Sequence, residues 1–450
     1  MREQFSRIGF ILAVSGGAIG LGNMWKFPTV VAKNGGSAFV ILFLLIALTL
    51  GIAGFLGELV LGRLTRKDLA NAYFDLAKKH KNIHKMGGIF MLGGVFVLSF
   101  YLVILGWVLR YVFVPLSSLP QDLPESVEMF TNATSGDFGI GFLCFSVCAI
   151  LTLYIVGKGV KEGIEKLNVY IMPLLSVLLV VMFVISCFSG GFKDAFVFLF
   201  KPDFSKITFS VFLDALGLGL FTLCLGVGCI SAYAASLDDK TDILKSALLI
   251  VFLDLITGLL MGQIIFSFAF DLRVDIGDGG AGLVFVSLLG QFGKLGILGN
   301  VIVFLLFLSL FFAGITSAVS MIEPFAFYVE SEFKIKRKYA MVYIGIIVFI
   351  LGTLAMASMQ KGFSINLFNK NFFDFLDFLT SNIMLPLGVL FTCVFIGFAS
   401  DRQRIKNYMV GVLGKNGYLV WFYFIKFVCP IIIVAIMVNE FYPLDKIFGY

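Results

Sequence analysis

An aspartate without a basic neighbour sits in the apolar run Ile250-Val251-Phe252-Leu253-Asp254-Leu255-Ile256. A charged carboxylate at the centre of a bilayer costs roughly 2.5–3.5 kcal/mol on insertion scales, so Asp254 must face a cation or a polar cavity, or bridge helices in its protonated form. Oxygen-bearing side chains recur in equally apolar surroundings. Asn23 closes the stretch Ser15-Gly16-Gly17-Ala18-Ile19-Gly20-Leu21-Gly22-Asn23, and Thr222 opens Thr222-Leu223-Cys224-Leu225-Gly226-Val227-Gly228-Cys229. Thr316 and Ser317 end Ala313-Gly314-Ile315-Thr316-Ser317, on one helix face with Ala313. Carboxylate, amide and hydroxyl oxygens are the ligands a hard cation takes. The commoner use of helical Ser and Thr hydroxyls is a bond back to their own helix, so this last pair does not decide the matter alone.

The elements that must position these groups are unusual. Four glycines within seven residues interrupt the first long apolar segment, and glycine costs about 1 kcal/mol relative to alanine in a helix interior. Unwound backbone inside a membrane survives only where protein or a polar cavity satisfies its N–H and C=O groups. The alternative is a small-residue packing face. The Gly226-Val227-Gly228 of the sixth apolar segment mirrors Gly20-Leu21-Gly22 five segments earlier. An odd number of crossings separates the two, so they enter the membrane in opposite directions, and paired broken helices of this kind point to a midplane solute site. Half-helix N-termini there suit a carboxylate, and freed carbonyls suit a cation.

Composition sets the frame. Of 450 residues 59% are hydrophobic, 14% are charged and 53 are phenylalanine, with a mean hydropathy of +1.00. That predicts an all-α polytopic membrane protein and leaves no room for a soluble domain. Spans are expected near 8–33, 37–61, 87–114, 139–157, 167–188, 209–234, 243–270, 296–329, 340–357, 373–399 and 417–439. The segment from Gly279 to Phe292 is too short to cross and reads as a surface or re-entrant helix. The charged start, Met1 to Arg7, meets no small-residue cleavage site, so the first span is expected to be retained.

With the N-terminus inside, inner segments hold 22 lysines and arginines and outer ones 8. That asymmetry predicts a cytoplasmic N-terminus and an external C-terminus in a cytoplasmic membrane. The surplus of +6 then needs no nucleic acid. The seven cysteines all lie in apolar segments without metal-ligand spacing, and both histidines, His80 and His84, fall in a lysine-rich loop. No paired nucleophile and base is visible, which argues against an enzyme. Lys26, one turn outward of the first break, reads alone as a lysine snorkelling to the interface; pairing with Asp377 across an outer vestibule is the alternative.

The run Gly16-Gly17-Ala18-Ile19-Gly20-Leu21-Gly22-Asn23-Met24-Trp25-Lys26-Phe27-Pro28, followed by Asn34-Gly35-Gly36-Ser37-Ala38-Phe39, closely resembles the first-span signature of the neurotransmitter:sodium symporter family. Gly57-Glu58-Leu59-Val60-Leu61-Gly62-Arg63, Tyr101, Phe221 to Gly226, Ala313 to Ser317 and Asp374 to Asp377 extend the resemblance over the whole chain. It implies one transmembrane domain, 1–450, with a leucine-transporter-like 5+5 inverted repeat: about 8–188 and 209–399, helices 1 and 6 unwound, and an eleventh helix at 417–439. The implied activity is symport of sodium and an amino acid by alternating access.

Carried over residue by residue, the resemblance implies two sodium ions. The Ala18 carbonyl, Asn23, Thr222, Asp254 and the substrate carboxylate would hold one. The carbonyls of Gly16, Ile19 and Ala313 with the hydroxyls of Thr316 and Ser317 would hold the other. Substrate would lie against Gly17, Ala18, Gly20, Gly22, Thr222 and Ser317. Tyr101 would bond its carboxylate, and Val97, Phe221, Cys224, Val227 and Met321 would line its side chain. A carboxylate shared between ion and substrate couples their binding.

Departures from the family pattern carry expectations of their own. Asp254 replaces an asparagine common in the family, so the fixed carboxylate predicts independence of chloride. Lys26 replaces the usual outer-gate arginine and loses its bidentate geometry toward Asp377. Ser331 stands at the inner-gate aspartate position, leaving Glu330 or Glu332 opposite Arg2. Gly17 in place of an aspartate argues against monoamines. With Val227 and the adaptable Met321 it favours a hydrophobic L-amino acid, aromatic ones included. A non-transporting amino-acid sensor, or a carrier of another small zwitterion such as glycine, is the alternative on the same scaffold. The oligomeric state is not encoded in any of these features.

Overall fold

The computed structural model describes residues 4–274, 276, 282–360 and 366–441. Helix α1 (Arg7–Ala18) and α2 (Gly22–Lys33) form one bent span with 48° between the halves. There follow α3 (Ser37–Thr65), α4 (Lys81–Leu116), α5 (Phe138–Gly157) and α6 (Val160–Cys187). Next come the short α7 (Phe209–Thr222) and α8 (Cys229–Ala234). Then α9 (Ile243–Asp271), α10 (Ile297–Phe333), α11 (Arg337–Ala357), α12 (Phe372–Ala399) and α13 (Arg402–Asn439) complete the bundle. Among the described residues nine helices are long and apolar enough to cross a membrane, and the α1–α2 pair adds a tenth crossing. The sixth expected span is carried by α7 and α8, each too short to cross alone.

Side-chain caps fix the helix starts. Ser6, Thr208 and Asp242 accept from Gly9 N, Val211 N and Leu244 N at the heads of α1, α7 and α9, satisfying amides that the helical ladder leaves over. Helices α4 and α10 pack most extensively on each other and form the centre. The most apolar stretch of α4 is 72% buried and that of α13 only 28% buried, so α13 lies at the edge. Helix α1 packs on α6, α9 and α10, and α8 packs on α3 and α10. Both broken spans are therefore enclosed.

Several boundaries differ from the sequence expectation. The third and fifth spans begin earlier, at Lys81 and Val160, and the eighth runs on to Phe333. The last span does not begin at 417: α13 reaches back to Arg402 and is interrupted at Gly414, whose φ of 72° only glycine adopts cheaply. The polar connection from Arg63 to Lys85 contains a capped helix, Leu69–Leu76, whose apolar face is buried. The short apolar segment after α9 is helical from Leu283 to Leu295, partly 3-10 and π.

Candidate functional site

The helical ladder of α1 ends at Ala18, leaving the carbonyls around Gly16, Ala18 and Ile19 at its open end. Asn23 follows in a π-helical turn, Gly22–Lys26, a geometry that recurs at functional sites. Its Nδ2 donates to Asp254 Oδ1 at 2.8 Å and to the Asp254 carbonyl at 2.9 Å. Asn23 Oδ1, Asp254 Oδ2 and Thr222 Oγ1 are all buried without a hydrogen-bond partner. Asp254 is fully buried, and no basic side chain pairs with it among the described residues. Orphaned polar atoms of this kind are rare, because each costs roughly 1–3 kcal/mol. Three of them, on three spans and all acceptors or hydroxyl, make a cluster whose chemistry suits a hard cation.

A second oxygen cluster lies where α1 crosses α10. Thr316 Oγ1 donates to the carbonyls of Phe312 and Ala313, each at 3.0 Å, and Ser317 Oγ donates to the Gly17 carbonyl at 2.6 Å. The back-bond expected of helical hydroxyls is thus present for Thr316, and its oxygen lone pairs stay available.

Between the clusters, the second break folds against the first. Cys224 Sγ donates to the Gly17 carbonyl at 2.9 Å. Cys224 itself is left-handed (φ 52°), a conformation that costs an L-residue about 1–2 kcal/mol. Gly226 (φ 94°) could not carry a side chain, since a Cβ would strike the Leu385 carbonyl. Tyr101 Oη accepts from Leu21 N at 3.3 Å and, with Ser317 Oγ, flanks Gly20. Phe221 lies against Gly22. Val97, Val227 and Met321 are buried; Val227 abuts Gly93 and the Met321 carbonyl abuts Gly94, one turn before Val97.

A cavity of about 380 Å³ opens from this floor toward the end of the bundle away from the lysine-rich loops. Tyr101 and Phe221 form its base, Phe100, Trp107 and Phe373 its walls, and Lys26 and Asp377 stand on its lining.

The family model for the sodium:neurotransmitter symporter family matches residues 2–135 and 134–447, nearly the whole chain. The chain belongs to the sodium:neurotransmitter symporter family. It is therefore a sodium-dependent symporter and not an enzyme. It is 33% identical over 443 residues to the uncharacterized sodium-dependent transporter YhdH of Bacillus subtilis, covering 96% of each chain. A sodium-dependent transporter of Haemophilus influenzae is 29% identical, with 97% of each chain covered. Among solved structures, MhsT in complex with L-phenylalanine superposes with a TM-score of 0.87 at 32% identity, covering 98% of this chain and 100% of that one.

In this symporter the lysine-rich end is sealed. Phe5 N donates to the Ser236 carbonyl at 2.9 Å, and the buried Phe5 ring packs edge-on against Tyr233 at 5.4 Å. Tyr233 in turn donates to Ser320 Oγ at 2.8 Å, beside Gly17. Arg2, expected at an inner gate, lies outside the described residues. Its expected partners are engaged elsewhere: Glu332 with Lys85 at 2.6 Å and Glu330 with Arg337 at 3.5 Å. Ser331 donates to Asp68 Oδ2 at 2.6 Å.

At the other end, the expected Lys26–Asp377 ion pair does not form among the described residues. Lys26 Nζ sits 4.1 Å above the Phe221 ring, and Asp377 accepts from Ser381 Oγ at 2.8 Å. The two are parted across an open cavity.

Two groups were not singled out from sequence for a role. Glu58 on α3 is fully buried and accepts from Gly226 N at 2.7 Å, satisfying the unwound backbone of the second break. Its place in the run Gly57 to Arg63 marked the family, but nothing local linked it to a glycine 168 residues away. The vestibule aromatics Trp107 and Phe373 carried no signal in a chain this rich in phenylalanine.

Proposed function

We propose that this symporter couples inward sodium flow to uptake of a hydrophobic L-amino acid, aromatic ones included, by alternating access and without chloride. The observation that carries this is the trio of orphaned oxygens on Asn23, Thr222 and Asp254. One sodium completes the trio with the Ala18 carbonyl and the substrate carboxylate, which Tyr101 also binds. The other sits among the Gly16, Ile19 and Ala313 carbonyls and the Thr316 and Ser317 hydroxyls. Ion and amino acid then stabilise each other, because they share a ligand.

The choice of substrate rests on volume and charge. The carboxylate next to sodium comes from the amino acid, since Gly17 offers none for a monoamine. Val227 presents a small side chain to the substrate, and the complex of MhsT with L-phenylalanine supports a large one opposite it; the space beside Gly17 itself is filled by Ser320. The two breaks belong to inverted repeats at about 8–188 and 209–399, rocking against each other. The lysine-rich end faces the cytoplasm of a cell membrane, so the sealed state with an open cavity is outward-facing. Lys26 and Asp377 approach when that cavity closes.

Proteoliposomes with an imposed sodium gradient test the reading. Labelled phenylalanine, tyrosine, tryptophan or leucine should accumulate above equilibrium only with sodium outside, and equally well in gluconate. Uptake confined to glycine or alanine, or collapsing without chloride, would overturn the substrate or the anion part. Sodium-dependent binding without accumulation would identify a sensor.

A further inference from the structure

We infer that Asn168 supplies a further oxygen to the sodium site at Gly16, Ile19, Ala313, Thr316 and Ser317, extending it onto α6. This rests on the sodium reading of that cluster given above. Asn168 is fully buried on α6, distant along the chain from the site residues of α1 and α10. Its Nδ2 donates to the Ile164 carbonyl one turn back, at 2.9 Å. That bond fixes which way the amide faces, because only nitrogen can donate there. Asn168 Oδ1 is left buried and without a partner.

The oxygen points at α1. A methyl group on Gly16 would overlap Asn168 Oδ1 and lie 3.1 Å from Thr316 Cβ. Glycine at 16 thus permits this close approach, and the amide oxygen, the Gly16 backbone and Thr316 border one small space. What borders it is all acceptor. The Thr316 hydroxyl spends its proton on Phe312 and Ala313, and the Ser317 hydroxyl spends its own on Gly17. The Asn168 amide nitrogen is engaged with the Ile164 carbonyl. A water placed there could donate but would find no donor for its own lone pairs, whereas a hard cation wants oxygen on every side.

The consequence is a site spread over three spans. Helix α6 begins in a π-helical stretch, Val160–Glu165, after Gly159 at φ 94°.

Sodium titration of the purified full-length chain tests this, read by thermal stability without substrate. In Asn168→Ala the sodium concentration for half-maximal stabilisation should rise about tenfold, the order seen when a supporting ligand is removed. The melting temperature without sodium should hold or rise, because an orphaned acceptor is gone. Asn168→Asp should restore or lower the half-maximal concentration, and it carries the test if the alanine variant does not fold. Wild-type sodium response with a lowered sodium-free melting temperature in Asn168→Ala would make Asn168 structural and overturn the inference. No sodium stabilisation even in wild type, or in Ser317→Ala a response identical to wild type, would instead overturn the underlying site.

Discussion

Both donor bonds of the Asn23 side chain fall on one residue, Asp254, through its carboxylate and its backbone carbonyl, at 2.8 and 2.9 Å. The amide nitrogen is thereby spent, and Asn23 Oδ1 and Asp254 Oδ2 are the atoms left to meet an ion. Asn23→Ala should raise the sodium concentration needed for half-maximal substrate binding at least about tenfold, the order that support of a metal ligand carries. Asp254→Asn should also weaken sodium, while wild-type uptake stays unchanged when gluconate replaces chloride. Equilibrium binding across a sodium series in each variant checks both statements.

Tyr101 offers a hydroxyl that accepts from Leu21 N, and on the proposed reading its proton goes to the substrate carboxylate. A hydrogen bond to a charged group is worth about 1.5–3 kcal/mol. Tyr101→Phe should therefore weaken amino-acid binding by roughly 10- to 150-fold. Sodium binding without substrate should change little, which a paired titration would reveal.

Glu58 stabilises backbone that no helix can. Glu58→Ala strands Gly226 N–H in the bundle, at a cost of roughly 1–3 kcal/mol. The melting temperature should fall whether or not sodium is present, and Glu58→Gln should recover most of the loss by keeping an acceptor. Thermal denaturation of both variants decides it.

Glu323 on α10 is fully buried against Arg337 at the head of α11, with Nη1 3.3 Å from Oε1. Breaking such a pair from one side leaves a charge uncompensated and costs about 3–5 kcal/mol. Arg337→Ala should therefore yield little folded protein, and Arg337→Ala with Glu323→Leu should recover more than the single change. Recovery by size-exclusion chromatography gives the readout.

The sequence made Asp254, Asn23 and Thr222 legible because polar oxygens in apolar runs have few satisfactory fates. The same logic exposed both glycine breaks. It failed for Glu58, whose partner is an amide of the second break, and for Asn168, whose unpartnered oxygen faces Gly16 on a distant segment. It also failed at span edges, where α13 runs through Gly414 and the Arg63–Lys85 connection hides a buried helix. Hydropathy reports how apolar a segment is, not where its helical hydrogen bonding stops. The Lys26–Asp377 pair was named from type and position, but its approach depends on which end of the bundle is open.

The Gly17 carbonyl accepts from Ser317 and Cys224 at once, which occupies both of its lone pairs. Any donor arriving from the vestibule finds that oxygen saturated and must seek a neighbouring carbonyl, with the hydroxyl and thiol standing as placeholders across the two breaks.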